Sequence, residues 1–389
     1  MSLIKELDAF RKVHGGNFTR AGITFADNMV TYALNKKPWR GPLYVDWEIS
    51  YKCNARCTYC DSWKVGMESK IPDVSTEVAK KTIREMGVRG VWLLIFTGGE
   101  PFVRPDFLEL VKEAKNAGMN VSINTNGFFL KRDAQKIVDL GVDSITVSVE
   151  SHESEVHDTV RRTKNLFKML SEGIEELKRI RKQKPAIKVR MEIGRDSYKR
   201  AKAFIEYWQD KADGIVLQPI HEGIGKDIFV MSEEMKFKTD DKTEFDKEFS
   251  LLAKQYSWMN NQYYQEFSTF FFDKEELYKK FKCYSGFFYL QIDPYGNVYN
   301  CTEYIANVGN ILHQSFDEIW YGQKMNNVRK MIKEGTNTCV CHYYCTGPVN
   351  CSMSKVFGNT RKDGAMLRTH SGKKIGLSVD APMSNHEQR

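Results

Sequence analysis

The chain has 389 residues, of which 41% are apolar and 28% charged, enough for a sizeable core and for two or three domains of about 150 residues each. Its 58 lysines and arginines exceed its 50 aspartates and glutamates by 8, and this excess is spread along the chain, which argues against a nucleic-acid partner. Charges interrupt the N-terminal region where a secretion signal would be apolar, and the run Val91 to Phe96 is too short to span a bilayer. We therefore expect a soluble, cytoplasmic protein.

Residues 75–220 alternate helical and strand patterns. Amphipathic stretches of helical period are followed by short apolar runs bounded by glycine or proline, an order that predicts a parallel sheet. The predicted strands are Tyr44 to Ser50, Val91 to Phe96, Val121 to Asn124, Ser144 to Val149, Ile187 to Ile193 and Gly214 to Ile220. The predicted helices are Thr76 to Met86, Asp106 to Ala117, Arg132 to Leu140, Lys164 to Lys182 and Tyr198 to Asp210. Together they predict an α/β fold with an open, partial (β/α)6 barrel over residues 42–222.

Four further segments flank this barrel. Residues 1–41 are expected to form an N-terminal helical extension, and residues 223–282, rich in charged and aromatic side chains, a helical linker. Residues 283–360 predict a small, cysteine-rich α+β domain with a hairpin turn at Asp293 to Asn297, and so small a unit needs a metal for stability. Residues 361–389 are expected to be a C-terminal tail.

The cysteines carry the strongest chemical signal. Nine is an odd number in a chain without a secretion signal, which indicates thiolates that bind metal or take part in catalysis instead of a disulfide framework. An early and a late group are separated by a long stretch that contains no cysteine. The early group is Cys53, Cys57 and Cys60, and the late group is Cys283, Cys301, Cys339, Cys341, Cys345 and Cys351.

The early group lies directly after the first predicted strand. Three thiolates fall one short of a tetrahedral zinc site, and the next cysteine along the chain is Cys283. A four-iron, four-sulfur (4Fe–4S) cluster held by three cysteines leaves one iron open for a ligand. The spacing by itself leaves a zinc site with a missing ligand as the alternative.

This spacing, with Tyr59 just before the last cysteine, resembles the signature of the radical S-adenosylmethionine (SAM) enzymes. Thr97 to Pro101, at the end of the next predicted strand, resembles the glycine-rich SAM motif of that family. The resemblance implies that Cys53, Cys57 and Cys60 hold a 4Fe–4S cluster with SAM at its open iron, and that Gly98, Gly99 and Glu100 orient SAM. Taken alone, the two glycines would be an ordinary turn between a strand and a helix.

The same resemblance extends to polar residues at later strand ends, where ligands bind on parallel barrels. It implies SAM contacts from Asn126, Ser148 and Glu150, and from Arg190 or Glu192 on the fifth strand. Gln218 and Pro219, which end the sixth strand, are expected to border the adenine or the substrate. The alternative is that these side chains are polar groups of the barrel interior that satisfy one another.

The late group opens with Cys283, Gly296 and Cys301, and this opening resembles the auxiliary-cluster domains of the SPASM or Twitch type. The spacings between its later cysteines differ from those of domains that hold two clusters. Two clusters would need eight cysteine ligands, and the late group has six. We expect one auxiliary 4Fe–4S cluster. The candidate ligands are Cys283, Cys301, Cys341 and Cys345, with Cys339 and Cys351 as competitors and His342 as a remote candidate. A structural zinc site using the same thiolates is the alternative.

The resemblance implies an enzyme that cleaves SAM reductively to a 5'-deoxyadenosyl radical, which abstracts hydrogen from a C–H bond of a peptide or small organic substrate. Oxidation or bond formation would follow, with electrons from a donor such as ferredoxin or flavodoxin. No catalytic residue that completes the reaction is assigned. Two alternatives remain at this point: a lipid-modifying enzyme with peripheral membrane contact, and a non-catalytic zinc protein that binds RNA.

The membrane alternative depends on an apolar stripe near the N-terminus. Phe25, Met29 and Tyr32 recur at helical spacing, and Lys36, Lys37, Trp39 and Arg40 follow them. Such a stripe, next to basic and aromatic residues, suits an anionic membrane surface. More commonly it packs on a neighbouring domain, which is the interpretation we favour.

Overall fold

The computed structural model describes residues 18–34, 36–220, 231–303, 306–335 and 347–357. Its core is one nine-stranded sheet with the order β6-β5-β4-β3-β2-β1-β7-β8-β9. The strands are β1 Tyr44–Ser50, β2 Leu93–Gly98, β3 Asn120–Thr125, β4 Ser144–Ser148, β5 Ala186–Ile193, β6 Gly214–Pro219, β7 Tyr289–Ile292, β8 Asn297–Tyr299 and β9 Asn307–Asn310.

The sequence pattern predicted the long amphipathic helices well. Those of the barrel region are α1 Phe18–Leu34, α2 Ser62–Glu68, α3 Thr76–Val88, α4 Phe107–Asn116, α5 Leu130–Asp139, α6 Ser154–Arg161, α7 Leu166–Ile180 and α8 Ala201–Trp208. Those that follow are α9 Lys242–Gln255, α10 Gln262–Gln265, α11 Phe267–Phe272, α12 Lys274–Lys280, α13 Phe316–Trp320, α14 Gln323–Glu334 and α15 Gly347–Phe357. The sequence pattern missed the short helices α2 and α6, and a 3-10 turn at Tyr198–Arg200 replaces the first turn of the predicted fifth helix.

Strands β1 to β6 pair in parallel in chain order, which confirms the predicted α/β partial barrel. On β5 the residues Ile187, Val189 and Met191 are fully buried on the helix-facing side. The opposite side of the sheet forms the barrel interior and carries polar residues. Because that interior is enclosed, Asp46 and Glu48 on β1 are also buried, at 4% and 8% exposure.

The cysteine-rich segment extends the same sheet. Strand β7 pairs in parallel with β1, and the rings of Tyr44 and Tyr289 stack with centroids 5.3 Å apart. The predicted hairpin β7–β8 is antiparallel, and its turn is closed by Asp293, whose carboxylate accepts hydrogen bonds from the backbone N–H of Tyr295 and Asn297. Gly296 has a φ of +84°, which explains the glycine in this turn. The domain limits at residues 222 and 282 stay predictions, since the sheet continues across them.

Helix α1 packs on the cysteine-rich segment. This confirms the interpretation that the apolar stripe of the N-terminal region packs on a neighbouring domain. The Tyr32 ring lies 4.8 Å from the Tyr284 ring, and Phe25 lies 5.6 Å from Phe288. Trp39, which follows the helix, is 86% exposed. Among the described residues, no helix combines the length and apolar character needed to cross a membrane.

Several predicted features lie outside the described residues. They are three of the late cysteines with the neighbouring histidine, and the tail: Cys339, Cys341, His342, Cys345 and residues 361–389.

Candidate functional site

The early cysteines lie in the loop between β1 and α2, at the carboxyl edge of the sheet. Helix α6, which the sequence pattern missed, anchors this loop: the N–H of Thr58 donates to the carbonyl of Val160, at 2.9 Å. The thiols of Cys53, Cys57 and Cys60 are free and near enough to one another to interact electrostatically. The structure therefore brings the three predicted cluster ligands together.

The environment of these thiols suits a positively charged group. Burial raises the pKa of Cys53 to about 12, with a further contribution from the Glu100 carboxylate. Burial also raises the pKa of Cys57 to about 11, although the Arg161 guanidinium opposes that rise. Thiolate ligands in such surroundings need nearby cations, and bound iron supplies them.

The glycine motif joins β2 to the start of the cysteine loop. The N–H of Gly99 donates to the carbonyl of Ser50 at 2.7 Å, and the N–H of Glu100 donates to the carbonyl of Lys52 at 2.9 Å. A Cβ on Gly99 would lie 2.4 Å from the Lys52 carbonyl oxygen and 2.6 Å from that of Tyr51. Gly98 has a φ of +115°. Only glycine allows the two chain segments to approach this closely, a structural reason in addition to the predicted contact with SAM.

Glu100 is fully buried and links β2 to the end of β3. Its carboxylate accepts hydrogen bonds from the Thr125 hydroxyl at 2.9 Å and the Asn126 N–H at 2.7 Å. Burial raises the pKa of Glu100 to about 7, against the effect of these donors. The Asn126 side chain donates in turn to Asn54 in the cysteine loop, at 2.8 Å. Glu100 and Asn126 thus lie beside the cysteines, and their contact with SAM stays a prediction.

Glu150, just after β4, belongs to a buried ionic cluster. It accepts a hydrogen bond from the Tyr59 hydroxyl at 2.6 Å and from Arg161 Nε at 3.0 Å. The Glu150 N–H donates to Nδ1 of His157, and burial lowers the pKa of His157 to about 3. Sequence reasoning missed His157 and Arg161. The amphipathic pattern of residues 154–161 was the available signal, because it predicts a helix that returns over the barrel edge.

The remaining predicted contacts form a chain across β4, β5 and β6. Arg190 Nη2 donates to the Ser148 hydroxyl at 3.1 Å, and Arg190 Nε lies 3.3 Å from the Glu192 carboxylate. Gln218 Nε2 donates to Glu192 at 3.1 Å, and burial raises the pKa of Glu192 to about 7. Pro219 is buried at the end of β6. These side chains contact one another at the carboxyl edge of the sheet, while Arg190 Nε is buried with no hydrogen-bond partner in the described chain. Their contact with SAM stays a prediction.

The described residues fit an iron–sulfur cluster better than a single metal ion. No three histidine, cysteine, aspartate or glutamate side chains in the described ranges form the cage of one ion. Cysteines that ligate separate irons of a cluster need not converge on one point. Asn54 Nδ2 and Thr58 Oγ1, in the same loop, are buried with no hydrogen-bond partner in the described chain. A group bound against the loop would give them polar contacts.

Three of the late cysteines are described, and all three are buried. Cys283 and Cys301 flank the β7–β8 hairpin, and Cys351 lies on α15 against Phe270 and Leu277. Helix α15 docks on the Cys283 segment through the side chain of Asn350, which accepts the N–H of Tyr284 at 3.2 Å. The choice of auxiliary ligands among the six cysteines stays a prediction.

Comparison with known families decides the classification. The radical SAM superfamily matches residues 47–191, and an iron-sulfur cluster-binding domain of the SPASM type matches residues 283–352. The chain therefore contains a radical SAM domain followed by a SPASM-type iron–sulfur domain. A radical SAM domain implies a 4Fe–4S cluster and SAM as cofactors, and a SPASM domain implies auxiliary iron–sulfur clusters. The interpretation as a non-catalytic zinc protein on RNA is therefore set aside.

Named relatives of this radical SAM protein have varied chemistry. An AdoMet-dependent heme synthase of Methanosarcina barkeri is 33% identical over 141 residues, or 36% of this chain and 40% of that protein. Streptococcus suis SuiB bound to the precursor peptide SuiA has a TM-score of 0.57 at 13% identity, over 81% of this chain and 72% of SuiB. Native anSMEcpe with bound AdoMet and Kp18Cys peptide has a TM-score of 0.58 at 17% identity, over 84% of this chain and 92% of that one. These two structures support the fold alone.

Proposed function

We propose that this radical SAM protein is an enzyme that abstracts hydrogen from a C–H bond of a peptide or small organic substrate, with oxidation or bond formation as the outcome. The observation that carries the proposal is the cysteine loop at the carboxyl edge of the barrel, directly beside the glycine motif and the polar ends of β3 to β6. When bound there, the cluster and SAM supply the reductive cleavage that forms a 5'-deoxyadenosyl radical.

The chain's own residues have three tasks in this proposal. Cys53, Cys57 and Cys60 bind the cluster, while Glu100 and Arg161 hold the surrounding turns in place. Asn126, Ser148, Glu150 and Arg190 orient SAM. The enclosed barrel interior positions the substrate carbon and excludes water from the reactive centre.

SuiB bound to the precursor peptide SuiA and anSMEcpe bound to the Kp18Cys peptide share this fold, and a peptide is therefore one substrate class that we propose for this chain. The heme synthase supports a small organic molecule as the other. The matched part covers only 40% of that synthase, so its substrate is not transferred to this chain. A low-potential donor such as ferredoxin or flavodoxin is the proposed electron source.

The test is SAM cleavage by the anaerobically reconstituted protein with dithionite as reductant. The wild type is expected to form 5'-deoxyadenosine, and Cys57→Ala to lose about four irons per chain together with this product. Arg56→Ala is a matched control, since its exposed side chain belongs to the same loop and contacts the Trp63 ring. A Cys57→Ala protein that still produced 5'-deoxyadenosine would refute the proposal.

A membrane lipid is the second candidate substrate, and one observation favours it. Trp39 is 86% exposed beside the exposed Lys36 and Lys37, a combination suited to an anionic lipid surface. Sedimentation with phosphatidylglycerol vesicles tests it: Trp39→Ala should reduce binding if the candidate is correct. Absence of wild-type binding to these vesicles would remove its support.

A further inference from the structure

Lys188 is the third residue of β5, nearer its amino end, and lies on the side of the strand that faces the barrel interior. Its neighbours in the sheet are Thr146 on β4 and Gly214 on β6. Residues two apart on a strand share a face, so Lys188 faces the same way as Arg190 and Glu192, which meet the polar groups of β4 and β6. Lys188 therefore lies about 7 Å further from the carboxyl edge than Arg190.

Lys188 differs from two other cations around the barrel, Arg161 and Arg190, because it has no partner among the described residues. Arg161 is paired with Glu150, and Arg190 with Ser148 and Glu192. The Lys188 side chain, only 5% exposed, has neither a hydrogen bond nor an ion pair within the described residues. Burial lowers the pKa of Lys188 to about 7, and Asp213 opposes this only through space.

Asp213 is itself already engaged. Its carboxylate accepts hydrogen bonds from Arg181 Nη2 and from the N–H of Ile187, both at 2.7 Å. It also lies in the loop directly before β6. Within the described ranges Lys188 thus has no close counter-charge, which is costly for a buried ammonium group.

No side chain of β6 covers Lys188 at the position paired with it. Gly214 has no side chain, and a Cβ there would meet only Lys188 Cγ, at 3.5 Å. An acidic residue, Glu48 on β1, lies at the same level of the barrel. Glu48 pairs with Thr97, the β2–β3 register continued by one residue places Thr97 beside Asn124, and Asn124 pairs with Thr146, which pairs with Lys188. An anionic group entering the barrel would be repelled from β1 and attracted to β5.

We infer that Lys188 binds an anionic group of the substrate, a carboxylate or a phosphate, so that the substrate is an organic anion held with its charged end against β5. The inference rests on the proposed function, because that function places the substrate in the barrel. It extends that function by giving the substrate a charge and an orientation. An apolar side chain would fill the same position without the cost of a buried amine.

The test measures the reactivity of the Lys188 amine in the full-length reconstituted protein, with and without saturating SAM. Trace acetic anhydride acetylates accessible amines, and mass spectrometry gives the rate at each lysine. The probes are inorganic phosphate, succinate and the neutral analogue succinamide. We expect phosphate or succinate to suppress acetylation of Lys188 by about tenfold at saturation, while succinamide has no effect. Exposed Lys182 on the same chain segment is the internal reference.

The outcomes separate the possibilities. Suppression by phosphate alone indicates a phosphate ester, and suppression by succinate alone a carboxylate. An unreactive Lys188, or one that neither anion protects, overturns the inference. Protection by SAM alone overturns it too, because the lysine would then belong to the cofactor site. Formation of 5'-deoxyadenosine by the same preparation shows separately whether the proposed function holds.

A substitution provides a second readout. Lys188→Met removes the unpaired amine and should raise Tm by about 2–4 °C in the absence of anions. It should also abolish the Tm increase that phosphate or succinate gives the wild type. Lys182→Met should change neither value. A lower Tm in Lys188→Met with the anion effect intact would show that this lysine has a structural role only.

Discussion

Arg161 and Glu150 form a buried ion pair that connects the end of β4 to the cysteine loop. Arg161 Nε donates to the Glu150 carboxylate at 3.0 Å, and Nη2 donates to the same oxygen. Their side chains are 9% and 5% exposed, and Tyr59 donates to Glu150 from the loop itself. The guanidinium also faces Cys57. One arginine thereby links helix α6, strand β4 and the candidate cluster ligands.

Removal of one member of this pair should be more damaging than removal of both. Arg161→Met leaves the Glu150 carboxylate buried without its cation and should reduce the free energy of unfolding by about 3–5 kcal/mol. The double variant Glu150→Leu, Arg161→Met should recover part of this loss, because no uncompensated charge remains. Urea unfolding of the four proteins in this cycle measures the effect. Additive losses would show that the two residues act independently.

Gly99 and Gly22 should respond in opposite ways to alanine. A Cβ at Gly99 would lie 2.4 Å from a backbone oxygen of Lys52, so Gly99→Ala should destabilise the fold by about 1–3 kcal/mol and disturb the cysteine loop. Gly22, within α1, has nothing within 4 Å of the added carbon, and Gly22→Ala should stabilise by about 0.5–1 kcal/mol. Thermal unfolding compares them, and equal Tm values would contradict the close approach.

His157 should make stability depend on pH in the acid range. Burial lowers the pKa of folded His157 to about 3, whereas the unfolded chain takes up this proton near pH 6.5. The unfolded state then binds more protons between these values, so the free energy of unfolding falls by up to about 1.4 kcal/mol for each pH unit below 6.5. His157→Gln should remove this part of the slope in urea titrations of the metal-free protein.

Iron content should distinguish the auxiliary ligands. With one auxiliary cluster, the wild type is expected to contain about eight irons per chain and Cys283→Ala about four. The latter protein should retain the early cluster and form 5'-deoxyadenosine. Cys351→Ala is the comparison, because Cys351 lies against apolar side chains of α11 and α12, and it should retain about eight irons. The reverse pattern would exchange the assignments of Cys283 and Cys351.

Patterns among residues close together in the chain predicted the strands, the hairpin turn and the family motifs of this protein. Short apolar runs between amphipathic stretches predicted the six parallel strands to within a few residues, because strands covered on both sides are apolar along their length while helices bury one face with a period of nearly four residues. The turn residues around Gly296 predicted the β7–β8 hairpin. The cysteine spacing and the glycine motif indicated the family, since both are contained in short segments.

Tertiary structure decided what depends on residues far apart in the chain. Three features follow from which segments meet in the fold. They are the pairing of β7 with β1 in one sheet, the ion pair of Arg161 with Glu150, and the burial of Lys188 without a partner among the described residues. A charged side chain has the same local pattern whether it becomes paired, exposed or buried alone. Only the folded arrangement sets its desolvation and its partners, and these determine its energy and its chemistry.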